Sequence, residues 1–140
     1  MIRSGTLLAV LVLAVATACG DKKEEADKEA AGKACGPAPA AAATKPKLPA
    51  KFPTPSEVTY TGEKAAGPSS IVSAYWRGDV GQAFDGYKSA FAGAGYDVTK
   101  DEHEEVDAEV NFSGGSSTGQ VKLLQTCKDR TTVTITIRPS

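Results

Sequence analysis

Histidine, tryptophan and methionine each occur once in these 140 residues, and cysteine occurs three times. One imidazole, His103, without a thiol cluster excludes the usual nitrogen and sulfur donor sets of a transition-metal site. It also leaves one base for any nucleophile. Ser69, Ser70, Ser113 and Ser116 sit in no Gly-x-Ser-x-Gly elbow, and Ser117, flanked by Gly115 and Gly119 in that spacing, is followed by the strand pattern from Val121 rather than by the helix such an elbow opens. The glycine-rich run from Ser113 to Gly119 lacks the Gly-Lys-Ser/Thr ending and the following helix of a phosphate cradle. No excess of positive charge is present: the formal net charge is −1, and from Phe52 onward acids outnumber bases. A basic face for nucleic acid is therefore not expected. These absences leave no credible catalytic residue, metal site or cofactor site, and the chain reads as a non-enzyme.

What is present begins at the amino terminus. Arg3 precedes an unbroken apolar run, Thr6 to Val15 (TLLAVLVLAV), which is too short to span a bilayer as a permanent helix. Small residues follow at Ala16-Thr17-Ala18, completing the pattern of a secretory signal peptide. Val15-Ala16-Thr17-Ala18-Cys19-Gly20 resembles the lipobox of bacterial lipoproteins. That resemblance implies cleavage after residue 18, a diacylglyceryl group on the Cys19 thiol and often a palmitate-type acyl chain on its amine. Two or three chains, at about 0.8 kcal/mol per buried methylene, hold a protein durably on a membrane. The rival reading takes Ala16-Thr17-Ala18 as an ordinary signal-peptidase site, releasing a soluble protein. Lipidation of Cys19 leaves Cys35 and Cys127 as the pair available for a disulfide in an oxidising compartment.

Residues 1–18 are thus expected to be a lipoprotein signal peptide, 19–51 a lipidated N-terminus and disordered Ala/Pro/Lys/Glu-rich tether, and 52–140 a small α+β domain. Asp21 to Lys33 is charged and alanine-rich without an apolar stripe, so no stable helix is expected despite a Glu24–Lys28 spacing. Prolines 37, 39, 46, 49, 53 and 55 favour extended polyproline II stretches, a semi-rigid spacer.

In the domain, Glu57 to Thr61 alternates as a short strand, Gly62 to Gly67 reads as a turn, and Ser70 to Arg77 reads as a second strand. Asp79 with Gln82 forms a capping-box pair ahead of an apolar stripe at Val80, Ala83, Phe84, Tyr87 and Phe91, which predicts a helix. Tyr96 and Val98, Val106 to Phe112, Val121 to Thr126, and Thr132 to Arg138 read as strands, with Ser113 to Gly119 as a flexible loop. The expected fold is α+β: one helix on a single antiparallel sheet, in the order ββαββββ. Of the neighbours Tyr75 and Trp76, one packs inward and the other faces out.

The most charged place is the acidic turn 101–109. Asp101, Glu102, Glu104, Glu105 and Asp107 are the cation candidates there, without the Asp-x-Asp-x-Asp-Gly order of a calcium loop; a solvated hairpin tip is the plainer reading. The leader with Cys19, Arg77-Gly78-Asp79 before the helix and Ala94-Gly95-Tyr96 after it resemble small uncharacterised lipoproteins of bacterial envelopes. That likeness implies only location and architecture, a protein held outside the cytoplasm by its lipid. The expectation of another envelope protein or a wall component as partner rests on a small sheet without a convergent polar constellation. The other expectation is a small-ligand or cation-binding module built on the acidic turn.

Overall fold

The computed structural model describes residues 21–140; the leader and Cys19 lie outside the described residues. In chain order the elements are α1 (Asp21–Ala31), β1 (Val58–Ala66), β2 (Ser69–Arg77), α2 (Val80–Gly93), β3 (Asp97–His103), β4 (Asp107–Gly114), β5 (Ser117–Cys127) and β6 (Arg130–Pro139). The fold is α+β with a single six-stranded sheet, in the spatial order β1-β2-β6-β5-β4-β3. Every neighbouring pair is antiparallel. Helix α2 carries the chain from β2 to the far edge, and a meander returns β6 to pair with β2.

The order ββαββββ omits one element, α1, because a helix without an apolar stripe gives no periodic signal. Its support is electrostatic and tertiary. Glu24–Lys28 and Glu29–Lys33 pair one turn apart, Lys28 also reaches Glu105 at 3.0 Å, and Ala31 is buried. Exposed pairs of this kind are worth only tenths of a kcal/mol, so docking of the following chain must hold the helix in place.

Alternation decides the core. Val72, Ala74 and Trp76 of β2, Val133, Ile135 and Ile137 of β6, Val121 and Leu123 of β5, and Ala108, Val110 and Phe112 of β4 are all buried on one face. Val80, Ala83, Tyr87 and Phe91 of α2 close over them. Each large apolar side chain so buried contributes about 1.5–3 kcal/mol. Asp79 caps the helix through the Gln82 amide, and the Gln82 side chain answers through the Asp79 amide. Gly86 is required by packing: a Cβ there would run into the Trp76 ring. Trp76 is the inward aromatic, while Tyr75 lies on the other face, with the Arg130 guanidinium 5.7 Å from its ring centroid.

Two turns differ from expectation. Gly62 to Ala66 continues β1 past a bulge, and the turn narrows to Gly67-Pro68, with Gly67 at φ 59°. Ser113 to Gly119 is mostly paired strand; the loop is Gly115-Ser116, both near φ 57°, the positive pair a type I′ hairpin demands. Small polar residues suggest a loop, yet here they occupy the wet face of strands.

Residues 32–57 carry no helix or strand, but they are bonded to the domain along their length. Cys35 is joined to Cys127, with Cα atoms 5.1 Å apart across a sequence separation of 92. Arg130 donates to the carbonyls of Gly36 and Pro37. The Ala42 amide donates to the Tyr60 carbonyl on edge strand β1. Beyond that edge the Lys47 amide donates to Glu63, which with the Ser70 hydroxyl holds that carboxyl below its usual range. Phe52 then enters the core edge-on to Phe91, Tyr96 and Phe112, and the Tyr96 hydroxyl donates to the Ala50 carbonyl at 2.9 Å. The segment is a strap from one sheet face to the other.

Candidate functional site

Helix α2 and the end of the strap at Phe52 cover one face of the sheet; the strap's first residues meet the opposite face at Cys127 and Arg130, and the rest of that face lies open. Cross-strand pairs share a face, so the register defines what that open surface presents. One row runs Lys100, Asn111, Gln120, Thr136 from β3 to β6; the next runs Asp97, Ser113, Thr118, Arg138. Between these rows lies a concavity of about 420 Å³, open to solvent on one side. Asn111 and Ser113 come from β4, Thr118 and Gln120 from β5, and Thr136 and Arg138 from β6. Thr99, the extra residue of the β3 bulge, completes the rim.

Glycine shapes the hollow. A Cβ on Gly119 would collide with the Thr136 carbonyl oxygen and meet the Phe112 ring at 2.6 Å. A glycine within a strand marks such a close approach or a bend.

Asn111, Ser113, Gln120 and Thr136 are half-buried. The Gln120 amide nitrogen donates to Glu109 at 3.0 Å, and Lys122 lies 3.7 Å from the same carboxylate. The side chains of Asn111, Ser113, Thr118, Thr136 and Arg138 take part in none of the hydrogen bonds found among the described residues. Nor does Arg138 form a salt bridge among them, and it is the sole charged residue of the lining. Asp97, at the far end of its row, is three strand spacings away, about 14 Å. That exceeds the screening length of about 8 Å at physiological salt, so it leaves the guanidinium field largely intact. The arrangement offers hydroxyls, carboxamides and one guanidinium, a hydrogen-bonding surface suited to recognition.

The residues singled out by the sequence fall elsewhere. Cys35 and Cys127 form the bridge that anchors the strap. The acidic turn is divided between surfaces. Asp101 stands opposite Val110 on the helix side and pairs with Lys88 of α2. Glu102 lies opposite Glu109 on the open face. The Glu104 amide donates to the Asp107 carbonyl to close the turn, Glu105 pairs with Lys28, and Asp107 stands opposite Leu124. Among the described residues no group of three or more His, Cys, Asp or Glu side chains could hold a metal ion. His103 stacks on Phe84 with centroids 4.9 Å apart, and the Lys88 ammonium lies over the same ring. The concavity itself was not anticipated from sequence. Its signal was the i, i+2 spacing of polar residues at 111 and 113, 118 and 120, and 136 and 138.

Among the described residues no helix is long and apolar enough to cross a membrane. No family model matches this chain, and neither the curated proteins nor the solved structures contain a match to it.

Proposed function

We propose that this chain is a lipid-anchored protein of the bacterial cell envelope whose domain is a non-catalytic binding module. Its lipid is attached at Cys19, and its ligand or partner is a hydrophilic envelope or wall component held on the open face. The observation that carries the reading is the concavity, where the Asn111 carboxamide and the hydroxyls of Ser113, Thr118 and Thr136 converge without hydrogen-bond partners among the described residues. Convergent polar groups not tied up by one another are available to hydrogen-bond a ligand. Position supports it too: the strap enters at Cys127, whereas the hollow lies toward the opposite end of β5 and β6, around Thr118 and Arg138. A chain anchored through its amino-terminal segment then presents the hollow away from the point where that segment arrives. The disulfide accords with an oxidising compartment outside the cytoplasm.

The anchor is tested by incorporation of labelled palmitate, expected in the native chain and lost in Cys19→Ser. Retained labelling in that variant would reject Cys19. The binding role is tested by amide-shift mapping of the processed protein in detergent against soluble wall fragments. Shifts confined to residues 99, 111–120 and 136–138 are expected, and shifts elsewhere or none would remove the site.

A further inference from the structure

We infer that the concavity binds an acidic saccharide, a hydroxylated ring bearing one carboxylate, with Arg138 as the residue that selects the charge. The inference rests on the binding reading above and names the ligand class for that same site. Three features of the lining lead to it. First, Arg138 is its one charged residue, and a single guanidinium matches a single carboxylate through two parallel N–H···O bonds. A phosphate, with its greater charge, is better served by several cations.

Second, Asn111 and Gln120 stand directly opposite each other across β4 and β5. The Gln120 nitrogen is committed to Glu109, which leaves its carbonyl oxygen free to accept, while both ends of the Asn111 carboxamide are free. Adjacent acceptor and donor groups suit vicinal hydroxyls, each of which both donates and accepts. Ser113, Thr118 and Thr136 extend the same capability around the rim.

Third, the lining offers no aromatic face to the solvent side. Phe112 contributes to the hollow, but its ring packs into the core against Phe91 at 4.8 Å. A flat apolar ligand would find nothing to stack on, whereas a polar ring would find hydrogen bonds in every direction. The volume, about 420 Å³, is near the lower end of small-molecule sites and suits one or two sugar rings.

The test is a titration of the full processed protein, followed by calorimetry and amide shifts, with glucuronic acid and N-acetylmuramic acid against glucose and N-acetylglucosamine. Acetate serves as the bare carboxylate. The acidic sugars are expected to bind at least tenfold more tightly than their neutral counterparts and than acetate, shifting the amides of 111, 120 and 136. Arg138→Gln is expected to reduce the acidic sugars to the neutral level with the folded spectrum unchanged, and Asn111→Ala to weaken both kinds. Equal binding of acidic and neutral sugars, acetate binding as well as glucuronate, or selectivity surviving Arg138→Gln would overturn the inference while leaving a binding face in place. Absence of any shift at the hollow with these sugars and with whole wall fragments would remove both the ligand class and the site.

Discussion

Removing a single oxygen atom from the middle of α2 is expected to make this protein more stable. Tyr87 is wholly buried between Trp76 and Phe91, with ring centroids 5.9 and 6.0 Å away, and its hydroxyl has no hydrogen-bond partner. Leaving such a group unsatisfied costs about 1–3 kcal/mol, while the dispersion lost with one oxygen is about 0.1–0.2 kcal/mol per contact. Tyr87→Phe should therefore gain about 1–2 kcal/mol, a rise of several degrees in Tm for a domain of this size. Burial, with a smaller contribution from Tyr60, pushes the Tyr87 hydroxyl pKa well above its ordinary value of 10.0. Its folded pKa exceeds its unfolded one, so stability is independent of pH through this group below the unfolded value and falls as pH rises above it. The unfolded chain sheds the proton that the folded chain retains. Each pH unit above about 10 then costs about 1.4 kcal/mol per such group. Urea unfolding of both proteins between pH 7 and 11 reads both effects. The phenylalanine variant should start higher and fall less steeply, with a residual slope from Tyr60 and Tyr96, whose pKa values burial also raises. A lower midpoint in the variant, or parallel pH profiles, would refute the reasoning by showing that the hydroxyl has a partner, a buried water included.

The disulfide and one helix glycine carry further predictions. Cys35→Ser opens a loop spanning 92 residues, for which chain entropy gives a loss of about 4–5 kcal/mol. Denaturation midpoints with and without reductant should differ by that amount in the native protein and not at all in the variant. Gly86→Ala sets a gain in helix propensity of about 1 kcal/mol against a Cβ forced into the rigid Trp76 ring, an overpacking cost of about 1–3 kcal/mol. A lower Tm with a changed tryptophan emission is expected, and a higher Tm would mean that α2 rides free of β2.

How much of this was legible depended on whether a pattern was local. The capping box of Asp79 and Gln82 and the stripe through Phe91 placed α2 to within a residue of its observed start, because both signals lie within one helix. Val133, Ile135 and Ile137 likewise identified the inward face of β6. Helix α1 carried no such signal: Lys28 finds Glu105 and Ala31 finds cover only after a sheet exists. The strap was illegible for the same reason. Its prolines do keep it extended, but Phe52 is bound by Phe91, Tyr96 and Phe112, which sequence alone does not bring together. Composition suggests a spacer; long-range contacts make it a strap.

The concave face and the disulfide show the limit most sharply, since each depends on a bulge or a neighbour that alternation cannot supply. Polar residues at 111, 113, 118, 120, 136 and 138 can be read as outward-facing, but they form one site only because β6 lies beside β5 and β5 beside β4. Cys127 is the clearer case. Strict alternation after Val121, Leu123 and Gln125 would aim it at the helix side, with the strap's first residues on the opposite face. The bulge between Gln125 and Cys127 shifts the register by one residue, so that Cys127 pairs with Arg130 and emerges on the face where Cys35 lies. Deleting Thr126 would remove the bulge and leave Cys127 directly after Gln125, still opposite Arg130 on the face of Cys35. The bridge is therefore expected to survive the deletion in a non-reducing peptide map, and its loss would refute this reading of the register.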